Sequence, residues 1–180
     1  MIIGLCGFAQ TGKTTVADYL NENYKFRKIN FKDGLIKEIR ERLPDVLNNL
    51  AEIYDTDIDR LFKEKPPAMR ALMQNYGTNV RRGDDNNYWV EKWLTSARNT
   101  VGNIVTDDVR FTNEWEAIKN RGGILIRVER ADIQSAGTHQ SETEHLSFKE
   151  DFTIQAVAGE HHSVYAQLEA IIKIIKSNND

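Results

Sequence analysis

The chain has 180 residues, a net charge of -3 and a single cysteine. Its length fits one domain, which can bury about 70% of the surface of the unfolded chain. The absence of a long basic run disfavours nucleic acid as the partner, and a lone cysteine excludes an intrachain disulfide. No stretch reaches the ~20 apolar residues of a membrane span. We therefore expect a protein of the cytoplasm that binds neither nucleic acid nor a membrane.

A predicted strand, Met1 to Cys6, leads directly into Gly7-Phe-Ala-Gln-Thr-Gly12-Lys13-Thr14. This segment matches the phosphate-loop pattern G-x-x-x-x-G-K-[ST], in which the lysine reaches the β and γ phosphates and the hydroxyl ligates Mg²⁺. Glycines let backbone N–H groups turn toward phosphate oxygens, and a helix over Thr14 to Asn23 would point its positive end at them. We therefore predict a nucleoside triphosphate site. Its residues are Gly7, Ala9, Gln10, Thr11, Gly12, Lys13, Thr14 and Thr15.

Four further strand-like segments follow, separated by helix-compatible sequence. They are Phe26 to Phe31, Asn103 to Thr106, Ile124 to Val128 and Phe152 to Val157. Strands that alternate with helices indicate a parallel sheet, whose ligands bind beyond the carboxyl ends of the strands. Residues that follow the other strands at that edge are therefore candidates for chemistry.

The segment from Lys32 to Gly102 is too long for one crossover helix and predicts an inserted helical region. Asp33 is placed to cap its first helix.

Pro66-Pro67 could open a later helix, on which successive residues are about 100° apart around the helix axis. On that helix one predicted stripe is apolar: Met69, Leu72, Met73, Tyr76 and Val80. The other stripe is polar, and either solvation or ligand binding could explain it: Arg70, Gln74, Gly77 and Arg81. A third stripe is predicted to be core: Trp89, Val90, Trp93, Leu94 and Ala97.

Two acids and an arginine follow the third predicted strand, in the order Asp107, Asp108, Val109, Arg110. A carboxylate at this edge can orient Mg²⁺ or its waters, although adjacent acids also suit a turn. We favour the functional interpretation, with Asp108 ahead of Asp107.

Arg127 and Arg130 belong to or follow the fourth strand, and a polar stretch from Ala131 to Glu150 comes next. Phosphoryl transfer must exclude water, so we predict a mobile cover here with the two arginines binding phosphate at its base. A final helix, Val164 to Ile175, is predicted to pack against the core.

Several segments in chain order carry a resemblance. They are Gly7 to Thr15, Phe31-Lys-Asp33, Arg70 to Gln74 with Gly77-Thr78, Tyr88-Trp89-Val90, Asp108-Val-Arg110-Phe with Asn113-Glu114, Gly122-Gly123 leading into Ile126-Arg127-Val128, and His139-x-Ser141-Glu142. Together they resemble the deoxynucleoside monophosphate kinases typical of bacteriophages and some bacteria.

The resemblance implies a P-loop NTPase fold, an α/β architecture with a five-stranded parallel sheet flanked by helices. It implies one domain over residues 1–180, with the core at 1–33, 101–128 and 151–180. A helical insertion for the nucleoside monophosphate would span about 34–100, and a lid about 129–150. The implied ligands are ATP, Mg²⁺ and a deoxynucleoside monophosphate, and a homodimer is left open.

The resemblance also implies roles for residues. Catalysis would rest on Lys13, Asp108 and Arg110, and Mg²⁺ on Thr14 and Asp108. The acceptor would bind to Asp33, Arg70, Gln74, Arg81, Trp89, Arg110, Ser141 and Glu142.

Three alternative functions remain. A small-metabolite kinase of the phosphomevalonate or dephospho-coenzyme A type could use Asp33 as a base. A GTPase switch would need an Asn-Lys-x-Asp motif, which the chain lacks. A nucleic-acid ATPase would need a basic channel.

Overall fold

Within residues 1–133 and 139–178, which the computed structural model describes, five strands form one parallel sheet. They are β1 (Ile2–Cys6), β2 (Arg27–Lys28), β3 (Ile104–Thr106), β4 (Ile124–Arg130) and β5 (Phe152–Ala156). The spatial order is β2-β3-β1-β4-β5, and every neighbouring pair is parallel. The predicted fold class is confirmed. β1 is central, so its phosphate loop lies between the carboxyl ends of β3 and β4.

Helices connect the strands. They are α1 (Lys13–Tyr24), α2 (Phe31–Arg42), α3 (Pro44–Ile53), α4 (Ile58–Glu64), α5 (Pro67–Gln74), α6 (Tyr88–Arg98), α7 (Thr112–Lys119), α8 (Gln140–Thr143) and α9 (His161–Ser177). A π-helical segment, Asn75–Arg82, continues α5, and a 3₁₀ turn, Glu144–Ser147, follows α8. Across the described ranges no helix combines the length and the apolar character needed to cross a membrane.

The chain divides into two compact units. The sheet unit consists of Met1–Asn30 and Ser96–Asp180, and the helical unit of Phe31–Thr95. The core of the sheet unit joins β1, α1 and α9 through buried residues that include Ile3, Leu5, Val16, Leu20, Leu168 and Ile172. The helical unit has its own core of Ile39, Leu47, Leu61, Phe62 and Met69.

The second strand is shorter than the sequence predicts. Only Arg27–Lys28 pairs with β3, and α2 already begins at Phe31. The apolar residues at both ends of the predicted strand serve packing instead: Phe26 is in the sheet-unit core, and Phe31 stacks on Trp93 with ring centroids 5.1 Å apart. Asp33 therefore lies in the first turn of α2 rather than capping a helix that begins after it. A carboxylate there still interacts favourably with the helix dipole.

The helix opened by the two prolines changes its geometry part-way. From Asn75 its hydrogen bonds close over five residues instead of four, so each residue advances by less than 100°. The predicted stripes therefore hold only in part beyond Gln74. Tyr76 packs against the helical-unit core as predicted. Val80, on the predicted apolar stripe, is 41% exposed, and Gly77, on the predicted polar stripe, is buried. The core prediction for α6 is confirmed at Trp89, Val90, Trp93 and Ala97, which are buried, whereas Leu94 is half-buried.

Candidate active site

The phosphate loop occupies residues 7–12, between β1 and the first residue of α1. Gly7 has φ +132°, and a Cβ there would lie 2.3 Å from the carbonyl oxygen of Val128. Gly12 has φ +103°, a backbone conformation that side-chain-bearing residues rarely adopt. The motif therefore has the strand–loop–helix context that phosphate binding requires.

Lys13 is folded back onto the loop that precedes it. Its ammonium donates hydrogen bonds to the carbonyl oxygens of Gly7, at 2.8 Å, and Phe8, at 2.5 Å. Burial, and then the positive charge of Arg110, lower the pKa of Lys13 to about 8. The side chain is thus charged at neutral pH, and phosphate oxygens could replace the two carbonyls as acceptors.

Asp107 is the carboxylate that meets the end of the motif. The Thr14 hydroxyl donates to it at 3.1 Å, because β3 lies beside β1 and Asp107 is the first residue past β3. The N–H of Asp107 donates to the side-chain oxygen of Asn30 at 2.8 Å, which fixes the turn. The sequence argument ranked Asp108 first; Asp108 is also buried, but the contact with Thr14 belongs to its neighbour.

Arg110 is held at both its backbone and its side chain. Its N–H donates to the Glu114 carboxylate at 2.8 Å, which fixes the turn after β3. Its guanidinium donates to the Glu142 carboxylate at 2.5 Å and to the Ser141 carbonyl at 3.2 Å. The structure therefore brings together three residues that the sequence assigned to the acceptor site. Glu114 belonged to the resembling segments but had no predicted role. The sequence signal for its role is its spacing: a glutamate three residues after the residue that precedes α7 can accept hydrogen bonds from backbone N–H groups at the start of that helix.

Arg130 contacts the phosphate loop at the end of β4. Its guanidinium donates to the carbonyl oxygen of Gln10 at 3.0 Å and to the Asp132 carboxylate. Arg130 therefore lies against the phosphate loop, and its phosphate-binding role stays a prediction. Residues 134–138 of the predicted lid lie outside the described residues. The first two lid residues, Glu129 and Arg130, belong to β4, and residues 140–147 form α8 and the 3₁₀ turn.

Arg127 has a different environment. It is buried, and one terminal nitrogen donates to the carbonyls of His145 and Phe148, at 3.0 and 3.1 Å, and to the Glu150 carboxylate at 3.0 Å. These bonds fasten the chain that precedes β5. The nucleotide-binding role of Arg127 stays a prediction.

His145 is a buried histidine that the sequence did not single out for this site. It is 1% exposed, and its ring meets the phosphate-loop residue Phe8 edge to face at 5.1 Å. Its Nδ1 lies 3.5 Å from the Arg127 guanidinium, and its buried Nε2 has no hydrogen-bond partner among the described residues. Burial, then the charges of Arg127, Lys13 and Arg110, lower its pKa to about 4.

This shift predicts an acid-sensitive fold. Between about pH 6.5 and 4 the unfolded chain binds a proton at His145 that the folded chain excludes, so stability falls as the pH falls through that window. The loss is at most roughly 3 kcal/mol. We expect His145→Gln to remove this part of the acid dependence, measured as urea unfolding free energies at pH 7 and 4.5. The control is His162→Gln, at an exposed histidine of α9. Equal acid sensitivity in His145→Gln and the wild type would contradict the assignment.

The acceptor-site residues predicted in the helical unit fall into three environments. Asp33 and Arg70 are exposed, on α2 and α5, and Gln74 is the half-buried last residue of α5. Trp89 is buried, and its indole N–H donates to the carbonyl of Gly77 at 2.9 Å. With 3% of its surface exposed, Trp89 offers little area to a ligand, and its acceptor-binding role stays a prediction.

Arg81 lies against a buried carboxylate, Glu38, which the sequence argument missed. Burial raises the pKa of Glu38, but hydrogen bonds from Tyr88 and Tyr76 and the charge of Arg81 outweigh it and hold the pKa below its usual value. The neighbouring Arg82 is buried and donates to the carbonyl of Asn86 at 3.0 Å.

Comparison with known proteins decides the family. Residues 51–165 match the family model described as deoxynucleotide monophosphate kinase. The chain belongs to this family. A curated relative, the "Putative deoxynucleotide monophosphate kinase" of Acanthamoeba polyphaga mimivirus, is 33% identical over 162 residues, which cover 83% of this chain and 84% of that protein. The resemblance inferred from the sequence is confirmed.

Two solved structures align with nearly the full length of this deoxynucleotide monophosphate kinase family member. TT1252 from Thermus thermophilus aligns with a TM-score of 0.51 and 16% identity, over 96% of each chain. A shikimate kinase from Aquifex aeolicus aligns with a TM-score of 0.48 and 14% identity, over 99% of this chain and 98% of that one. The first of these likenesses indicates a shared fold.

The family match begins after the phosphate loop. It therefore rests on the helical unit from residue 51, the turn after β3 and the segment of α8. The phosphate-loop motif is independent evidence that points in the same direction.

Proposed function

We propose that this family member transfers the γ-phosphoryl group of ATP to the phosphate of a deoxynucleoside 5'-monophosphate. The bond between the γ phosphorus and the β–γ bridging oxygen breaks, and a bond from an acceptor phosphate oxygen to the γ phosphorus forms. The products are ADP and a deoxynucleoside diphosphate. Family membership and the intact phosphate loop support the reaction class.

One observation carries the proposal: two cations converge at the carboxyl edge of the sheet. Arg110 is near enough to Lys13 to lower the pKa of that lysine. Asp107 and Glu142 offset part of this repulsion, and Glu142 is paired with Arg110, so an acceptor phosphate would take the place of that carboxylate. A reaction between two polyanions needs this arrangement, since positioning and charge neutralisation supply most of the catalysis of phosphoryl transfer.

The residues present fit Mg²⁺. Thr14 and Asp107 offer hydroxyl and carboxylate oxygens 3.1 Å apart, which are the hard ligands that Mg²⁺ prefers. When bound, the ion would neutralise charge on the ATP phosphates. Lys13 would bind the β and γ phosphates, and Arg130, already on the phosphate loop through Gln10, would lie at the donor side.

The acceptor needs no strong base. The second pKa of a phosphate monoester is near 6, so the attacking oxygen is mostly anionic at pH 7. Arg110 would bind this acceptor phosphate in exchange for its contact with Glu142. The acceptor roles of Arg70 and Arg81, within the helical unit, stay predictions. Asp33 would contact the nucleoside.

ADP release with a panel of acceptors tests the proposal. The panel contains the common deoxynucleoside monophosphates, their ribonucleotide counterparts, phosphomevalonate and dephospho-coenzyme A. We expect at least one deoxynucleoside monophosphate to stimulate ATP turnover well above the rate without acceptor. Stimulation only by one of the two metabolites would replace the proposal by the small-metabolite kinase alternative.

The contact between Thr14 and Asp107 makes a prediction that reverses the order inferred from the sequence. Asp107→Asn keeps the shape of the side chain but removes its charge, so we expect kcat to fall roughly 100-fold and the Mg²⁺ requirement to rise. Asp108→Asn is the matched variant and should lose less than about tenfold. The measurement is initial rate against Mg²⁺ concentration at fixed ATP. The opposite order would return the metal role to Asp108.

A further inference from the structure

Glu38 of α2 is the centre of a polar cluster inside the helical unit. It is 5% exposed. Its carboxylate accepts hydrogen bonds from the Tyr88 hydroxyl at 2.8 Å, from the Tyr76 hydroxyl at 3.1 Å, and from a terminal nitrogen of Arg81. A carboxylate with three donors is satisfied, so the cost of its burial is offset within the cluster.

The cluster fixes the side chain of Arg81. The guanidinium lies 5.3 Å from the ring of Tyr76 and 5.2 Å from the ring of Tyr88, and it donates to the Tyr76 hydroxyl at 3.0 Å. The Arg81 side chain keeps 19% of its exposure, and its Nε is buried without a hydrogen-bond partner among the described residues. Arg81 is therefore held in one orientation, with a donor left unsatisfied.

The π-helical segment makes this arrangement possible. Tyr76 and Arg81 are five residues apart, which places them on opposite sides of an α-helix but about one turn apart where hydrogen bonds close over five residues. The ring and the guanidinium can then contact each other. Segments of π-helix are rare and occur frequently at functional sites.

Two further cationic side chains lie near Glu38. Arg42 lies 3.0 Å and Lys92 lies 3.9 Å from the Glu38 carboxylate, in addition to Arg81. The side chains of Arg42 and Lys92 are 61% and 44% exposed, so cationic groups beside Arg81 reach the solvent. A phosphate dianion would be attracted to them.

We propose that Glu38, together with Tyr76 and Tyr88, is a positioning residue that sets the guanidinium of Arg81 to bind the phosphate of the acceptor. The inference rests on the proposed function for the identity of the acceptor. Glu38 itself does not touch the substrate. It acts through Arg81, and this is what a double-mutant cycle measures.

The test compares acceptor KM, ATP KM and kcat in Glu38→Gln, Arg81→Ala and the double variant. We expect Glu38→Gln to raise the acceptor KM roughly tenfold, with ATP KM and kcat within about threefold of the wild type. The double variant should match Arg81→Ala alone. Glu41→Gln, at an exposed glutamate of the same helix, is the control and should change nothing. Additive effects, or an unchanged acceptor KM in Glu38→Gln, would overturn the inference.

A second variant and a second measurement complete the test. If Glu38→Gln does not fold, Tyr88→Phe removes one hydroxyl from the cluster and should raise the acceptor KM by roughly threefold or more.

If no acceptor is phosphorylated by the wild type, the proposed function fails, but calorimetry with inorganic phosphate still tests the role of the cluster. Binding that is weakened equally by Glu38→Gln and Arg81→Ala supports the inference. Absent binding, or binding unaffected by Glu38→Gln, contradicts it.

Discussion

Replacing Arg110 with alanine should lower kcat by roughly 10³-fold while ATP binds almost as in the wild type. An arginine that stabilises the charge of a transferring phosphoryl group is worth 10³ to 10⁵ in rate. The donor phosphates belong to the loop and Lys13, so ATP affinity should change little. The measurements are the steady-state rate with the best acceptor and the dissociation constant for ATP by calorimetry.

Arg121→Ala is the matched control for Arg110, because Arg121 is an exposed arginine that follows α7. Its rate should equal that of the wild type. The Arg110 variant also leaves the buried Glu142 without its guanidinium partner, so its unfolding temperature must be measured beside its rate. Loss of ATP binding in a folded Arg110→Ala protein would place Arg110 on the donor side and contradict the proposed role.

Lys13→Met should remove activity and leave the fold as stable as before or more so. Loss of an ammonium that neutralises the γ-phosphoryl group should cost roughly 10³-fold or more in kcat. Folding lowers the pKa of Lys13 from 10.5 to about 8, so holding the proton in the folded state destabilises it at every pH below about 8. Methionine fills similar space without that cost.

The Lys13 prediction is checked by kcat and by thermal unfolding at pH 7. A melting temperature at or above that of the wild type, with activity lost, identifies a group kept for function at the expense of stability. Lys173→Ala, at an exposed lysine of α9, controls for loss of one positive charge. A large drop in melting temperature for Lys13→Met would instead assign the lysine a structural role through its bonds to Gly7 and Phe8.

The fold could be predicted because its signals are local. Four of the five strands are apolar or alternating runs, and the helices between them indicate a parallel sheet with its ligand site at one edge. The phosphate loop then fixed which edge. Only the second strand was overestimated, because Phe26 and Phe31 are apolar for packing and not for strand pairing.

The turn after β3 was predicted in outline but not in detail. Two adjacent acids occur there, and the sequence does not encode which one meets Thr14. Sheet order decides it, since β3 lies next to β1 and its first following residue is Asp107. Similarly, an arginine on a strand suggests a phosphate ligand, but the partners that occupy Arg127 lie 18 to 23 residues further along the chain.

The Glu38 cluster could not be found by helical periodicity. The predicted stripes assumed α-helical spacing through Arg81, whereas the π-helical segment brings Tyr76 and Arg81 together. A weak signal did exist: Glu38 lies three residues after Leu35, beside the apolar stripe of α2, where a charged residue needs a partner.

The most direct test of the account follows the phosphoryl group itself. The protein is incubated with Mg²⁺, ATP labelled at the γ phosphorus and the best deoxynucleoside monophosphate, and the products are separated. The account predicts that the label appears at the β position of the deoxynucleoside diphosphate at the same rate as ADP forms. Lys13→Met should abolish this transfer of label. Label found only in inorganic phosphate would contradict the account and indicate an ATPase.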